Sequence, residues 1–209
     1  MSSVAPYEAM LHAAGFGSVA GADEAGRGAC AGPLVAAAVV LPPDSADEFP
    51  GLRDSKLLSQ HRREVLADRI RAVALTWAVV RVEAEECDRL GVQEADLQAM
   101  RRALLRLDPA PEFVLTDGFA VAGLGRPGLA LWKGDQVVAC VSAASILAKV
   151  SRDHIMDEYD AIYPGYGFAR HKGYGTPVHQ RALAELGPCP VHRYGYANVA
   201  AAARVRAGG

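Results

Sequence analysis

At 209 residues, 51% hydrophobic and 22% charged, the chain can bury a real core and has the balance of an ordinary soluble domain, not of a disordered one. No apolar run is long enough to span a membrane. The four cysteines, Cys30, Cys87, Cys140 and Cys189, form no CxxC pair or Cys/His cluster, so they read as reduced thiols and argue against structural zinc.

The net charge of −2 hides an asymmetry: from Ala161 to Gly209 six Lys and Arg face one acid, Glu185, with His171, His179 and His192 besides. That pattern suits an acidic catalytic part beside a basic part that meets phosphates, and equally a solvated basic face. Met1 to Tyr7 lacks the basic and apolar regions of a secretion signal, so a cytoplasmic location is expected. Disorder is expected only in the first dozen residues and in the Ala/Arg/Gly tail after Asn198.

In chain order, Val19 to Asp23 and Pro33 to Leu41 are β-type runs joined by a Gly-rich turn, a hairpin at the start of a sheet. Ser59 caps a predicted helix to about Ala74, Leu75 to Val82 is a third strand, and Ala84 to Leu107 is helical with an interruption at Gly91. Phe113 to Thr116 and Leu129 to Lys133 are strands that deliver Asp117 and Asp135 at their C-terminal ends. From Ser142 a helix runs to Pro164, followed by a Gly/Tyr-rich loop, Gly165 to Thr176, and a last helix near Val178 to Leu186. This order predicts an α/β fold with a mixed sheet flanked by helices, a catalytic domain over residues 1–160, and a C-terminal basic loop and helical extension over 161–209 packed on it.

Four acids stand at or just past strand ends: Asp23, Glu24, Asp117 and Asp135. Such edges are where α/β folds place ligands, and Mg²⁺ or Mn²⁺ prefers carboxylate and water oxygens. Each acid alone reads as a turn former; four around one sheet read as a metal site. Because neighbours along a strand point to opposite faces, Asp23 and Glu24 share a site only if the backbone bends there, and Gly26 and Gly28 suggest such a bend. The segment GADEAGRG, Gly21 to Gly28, is neither a P-loop nor a dinucleotide fingerprint. A turn offering backbone N–H groups to a phosphate or a sugar hydroxyl, or a plain hairpin turn, remains.

Taken together, GADEAGRG with Gly32-Pro33, Asp54-Ser55-Lys56, Thr116-Asp117-Gly118, Lys133-Gly134-Asp135, the run from Ser142 to Lys149 with Arg152-Asp153, and His171 to Thr176 resemble bacterial ribonuclease HII, in that family's order from about Val19 to Val199. The resemblance implies a ribonuclease H-like fold and an endonuclease acting on RNA/DNA hybrids and on ribonucleotides embedded in duplex DNA. Cleavage 5′ of the ribonucleotide would leave 3′-hydroxyl and 5′-phosphate ends. It also implies that Asp23, Glu24, Asp117 and Asp135 bind two divalent ions, Mn²⁺ or Mg²⁺. Gly26, Arg27 and Gly28 would contact the ribose 2′-hydroxyl, and Tyr174 would pack at the RNA-to-DNA junction. Lys56 and Lys172 are candidate phosphate contacts.

Asp153 is left out of the site, as an ion-pair partner of the neighbouring Arg152. The block His192-Arg193-Tyr194-Gly195-Tyr196 departs from the family's usual ending. A monomer without a clamp-binding peptide is expected. A DNA-only nuclease of the same fold and a non-catalytic duplex binder are the competing readings; the Gly-Arg-Gly turn with Tyr174 argues against the first, and four clustered acids against the second.

Overall fold

The computed structural model describes residues 6–43, 45, 49, 52 and 58–207. Five strands form one mixed sheet: β1 (Val19–Ala25), β2 (Leu34–Val40), β3 (Thr76–Val82), β4 (Phe113–Asp117) and β5 (Gly128–Leu131), in the spatial order β3-β2-β1-β4-β5. The hairpin expected from the sequence is present, with β1 and β2 antiparallel and β3 continuing that pattern. β4 and β5 join β1 in parallel. The C-terminal ends of β1, β4 and β5 therefore lie along one edge, where three of the four predicted acids are delivered or approached.

Side-chain alternation divides the core into two layers. Val19, Val35, Ala37 and Val39 face a long helix α6 (Ala139–Ile162) and α2 (Gln60–Val73). Ala20, Ala22, Ala36 and Ala38 face α4 (Val92–Leu105), preceded by the short α3 (Ala84–Leu90). The alanines and Gly21 let helices approach closely: a β-carbon on Gly21 would overlap the backbone of Cys140 and Val141 in the first turn of α6. As expected, Ser59 caps α2, its side chain accepting the Arg62 N–H.

Residues 6–13 and 197–207 are helical where the sequence suggests disorder. α1 (Pro6–Ala13) brings Glu8 to the N-terminus of α6, where its carboxylate accepts the N–H groups of Ala139 and Cys140 at 2.9 and 3.0 Å. The residue before this helix, Val138, offers no side-chain cap, and Glu8 supplies a distant acidic one. The tail forms α9 (Ala197–Ala207), because Val199 buries against Cys30 and Leu183. The Gly/Tyr-rich loop contains a single turn, α7 (Phe168–His171), and α8 (Pro177–Leu186) follows with Thr176 as its cap and Pro177 in its first turn. Tyr166, Phe168, Ala182 and Cys189 pack this part against Ala31 and Met156. All four cysteines are buried and unpaired in disulfides. Among the described residues, no helix is long and apolar enough to cross a membrane.

Candidate active site

Ala22 on β1 pairs with Thr116 on β4, so the next residues, Asp23 and Asp117, come side by side at the C-terminal edge of the sheet. The bend expected between Asp23 and Glu24 is absent: β1 stays paired with β2 through Ala25, and the chain turns only at Gly26, with φ +90°. Asp23 consequently lies on the α6 face, bonded to Ser145, and Glu24 on the α4 face, near Asp96. Both acids still feel Asp117, and the Glu24 N–H donates to Asp23 Oδ1 at 2.8 Å. The two meet around the strand end instead of on one face.

Burial and like charge raise the proton affinity of this group. Asp23 is held well above the usual carboxylate range, first by burial and then by Glu24 and Asp117. Glu24 is pushed up to about 7 by burial, with Asp96 and Asp117 adding to it. Asp96, fully buried on α4, rises to about 6 through burial, partly offset by Arg27 and reinforced by Asp23 and Asp117. Carboxylates that resist ionising beside one another fit a hard divalent cation, whose charge removes both penalties.

Asp135 arrives differently from expectation. β5 ends at Leu131, and Asp135 sits in the single-turn helix α5 (Gly134–Val137), buried, after Lys133 in a left-handed conformation. Asp117 Oδ1 accepts the Gly134 N–H at 2.7 Å, tying that turn to the end of β4. Among the described residues no three of these groups already converge at metal-ligand distance. The fit to a cation therefore rests on the oxygen donors and their charge.

Beside Glu24 opens a cleft of about 350 Å³, lined by Gly26, Arg27 and Gly28, by Ser145, Ile146 and Lys149 of α6, and by Arg63 and Tyr174. Two carbonyls of the turn are engaged: Gly26 O accepts the Ala29 N–H at 3.2 Å, and Arg27 O is held by the C-terminal part. Arg193, fully buried, donates to Gly32 O at 2.9 Å and to Arg27 O at 3.3 Å, and the Tyr196 hydroxyl also donates to Arg27 O. Arg152, likewise buried, donates to Ala31 O, Pro33 O and Lys172 O. The N–H groups of Arg27 and Gly28 donate to no described residue. The divergent block after His192 thus buttresses the Gly-Arg-Gly turn from behind.

Side chains around the turn are more committed than the sequence implied. Arg27 lies toward α4, 3.5 Å from Asp96, bonded to Gln93 and 4.7 Å over the Phe119 ring. Lys172 is not part of the cleft lining; its ammonium is bonded to Asp157 and to Asp153 O. Lys56 lies outside the described residues. Asp153 pairs with Lys149 at 2.6 Å, not with Arg152, because helical spacing brings residue 149 beneath it while Arg152 turns inward to the loop carbonyls. Asp96 was missed. It occupies one position of the stripe Asp96, Ala99, Met100, Ala103, and an acid on an otherwise apolar stripe was the available signal.

The sheet order, the flanking helices and the acidic edge beside a backbone-lined cleft place the molecule among the metal-dependent nucleases of ribonuclease H type. A solved structure of ribonuclease H2 from Pyrococcus horikoshii OT3 superposes with a TM-score of 0.80 at 26% identity, covering 92% of this chain and all of that one. Ribonuclease HII from Archaeoglobus fulgidus, solved in a complex with PCNA, gives 0.73 at 30% identity over 84% of this chain and 91% of that one. The curated ribonuclease HII of Cutibacterium acnes is 59% identical over 201 residues, 95% of this chain and 98% of the relative. The family model described as Ribonuclease HII matches residues 20–199. The chain belongs to the ribonuclease HII family: it is a metal-dependent endoribonuclease that acts on RNA/DNA hybrids.

Proposed function

We propose that the enzyme also nicks duplex DNA on the 5′ side of a single embedded ribonucleotide, leaving 3′-hydroxyl and 5′-phosphate ends. The observation that carries this reading is the position of Gly28 opposite Tyr174, across a cleft that Glu24 also lines. With Gly26 O and Arg27 O engaged by protein donors, the Arg27 and Gly28 N–H groups are left for a sugar hydroxyl, and the 2′-hydroxyl is what separates RNA from DNA. The Tyr174 ring, 41% exposed, offers a flat face and one hydroxyl to the sugar that follows.

Asp23, Glu24, Asp117 and Asp135 are the metal-binding carboxylates of this reading. Two divalent ions, Mg²⁺ or Mn²⁺, would supply the charge that activates the attacking water and stabilises the leaving 3′ oxygen. Glu24 and Asp117 hold their oxygens at the ends of adjacent strands, so their spacing is fixed by the sheet. Asp96 draws Arg27 toward α4 and so steadies the turn on the side away from Tyr174. Arg63, and Lys149 once it gives up Asp153, bring positive charge to the cleft wall, suited to the phosphates flanking the scissile bond. Lys172 must give up Asp157 before it can reach a phosphate, and Lys56 belongs to the same reading by its motif alone.

The test is a DNA duplex carrying one ribonucleotide, incubated with Mg²⁺ or Mn²⁺, with both ends of the nick mapped. A single cut 5′ to the ribonucleotide, with an all-DNA duplex left intact, is expected. Equal cutting of both duplexes, or a cut on the 3′ side, overturns the reading.

A further inference from the structure

Behind Tyr174 lies a set of imidazoles that the proposed chemistry does not use. His179 on α8 and His192 are both fully buried. The Tyr174 carbonyl accepts the Thr176 N–H at 2.8 Å and has His179 Nδ1 at 3.0 Å. A carbonyl only accepts, and the Cys30 thiol, 3.6 Å from Nδ1, has the Gly173 carbonyl at 3.5 Å as its own acceptor, so Nδ1 carries the hydrogen and, in a neutral ring, Nε2 is an acceptor. The neighbour of that Nε2, at 3.0 Å, is Nε2 of His192, which must then be the donor. His192 Nδ1 takes the Cys189 N–H at 3.0 Å; the Cys189 carbonyl, 3.2 Å from the same nitrogen, is already met by the His192 backbone N–H at 3.0 Å, so Nδ1 is assigned as the acceptor. Three hydrogen bonds thus run in one direction, from Cys189 N–H through His192 and His179 to the Tyr174 carbonyl.

Both rings must stay neutral for that direction to hold. Burial lowers the proton affinity of His179, and burial with the adjacent His179 lowers that of His192 to about 4. His171 stands outside the chain but steadies it, stacked on His179 with 4.4 Å between centroids and fixed by Tyr166 O and the Gly173 N–H. At the far end, Tyr174 Cε1 is 3.9 Å from where a β-carbon on Gly28 would stand, and Arg152 lies 5.5 Å from its ring centroid. The chain therefore ends on the peptide that sets the gap between the aromatic ring and the Gly-Arg-Gly turn.

We propose that His179, backed by His192, is a positioning residue for Tyr174, holding the ring at the spacing from Gly28 that junction cleavage requires. The inference rests on the junction-reading role proposed above for Tyr174. A ring displaced by a fraction of an ångström still allows the duplex to be held by its phosphates, so the nicking rate falls while binding is kept.

Two side chains of similar reach separate the two ends of the imidazole. Asparagine can put an amide N–H where Nδ1–H stood, keeping the bond to Tyr174; glutamine can put a carbonyl where Nε2 stood, keeping only the bond to His192. His179→Gln should lower kcat for nicking at a single ribonucleotide roughly fivefold or more with duplex affinity unchanged, whereas His179→Asn should stay within about twofold of the unsubstituted enzyme. Equal rates in the two variants, whether lowered or not, overturn the proposal. Nitrogen NMR of the unsubstituted protein at neutral pH needs no variant to fold: it should find the Nδ1–H form of His179 and the Nε2–H form of His192, and the Nε2–H form at His179 overturns the proposal. Failure of the junction reading itself would look different, as an unsubstituted enzyme that cuts all-DNA duplexes equally.

Discussion

Arg152 passes directly beneath Gly26, so that a β-carbon on the glycine would overlap its Nε. The arginine is buried and spends its donors on three carbonyls of the surrounding loops, so it cannot swing aside without losing them. Gly26 also holds φ at +90°, which disfavours any side chain. Gly26→Ala should therefore destabilise the protein by about 1–3 kcal/mol and reduce nicking by more than the loss of folded protein explains. Denaturant unfolding with nicking rates checks this, and an alanine variant of unchanged stability and rate would refute it.

Asp117→Asn separates charge from architecture. The asparagine oxygen can still accept the Gly134 N–H that Asp117 Oδ1 takes at 2.7 Å, so the turn leading to Asp135 should survive. Its melting temperature should stay within a few degrees of the unsubstituted protein's while nicking falls about a hundredfold or more. A retained rate would remove Asp117 from the metal site.

The acidic group also sets a pH dependence. Without metal, folding raises Glu24 from 4.5 to about 7 and lifts Asp96 to about 6, so the folded chain binds more protons than the unfolded one across that range. Stability supplied by those protons is present below about pH 4.5 and is lost as pH rises through about 7. Divalent ions compete with the same protons, so the sign reverses on their addition. The rise in melting temperature caused by Mn²⁺ or Mg²⁺ should be small at pH 5.5 and larger at pH 8, and chelation should remove it. An increment independent of pH would mean that these carboxylates do not hold the ion.

Much of this site is legible along the sequence, because its parts are local. Asp23, Glu24 and Asp117 follow apolar β runs, and Gly26 and Gly28 mark the turn by composition alone. What stayed hidden depends on long-range packing. The burial of Arg152 and Arg193 follows from loops that meet only after α6 and the C-terminal part fold together. Glu8 caps α6 from 131 residues away, which no local pattern encodes. The tail from Ala197 is an alanine-rich helix without a clear apolar stripe, and its order comes from Val199 finding the pocket beside Cys30. Lys172 looked like a free loop cation, yet Asp157, fifteen positions earlier, claims it.

In the proposed function the turn from Gly26 to Gly28 verifies a 2′-hydroxyl before the carboxylates act. This reading is tested most directly by nicking rates and affinities for three duplexes that differ at one nucleotide: a ribonucleotide, its 2′-deoxy form and its 2′-fluoro form. A site built to hydrogen-bond a substrate hydroxyl should reject both analogues by about a thousandfold or more in rate, while the duplexes bind comparably through their phosphates. A 2′-fluoro duplex nicked at a rate near that of the ribonucleotide would show that sugar shape is read, not the hydroxyl, and would contradict the account.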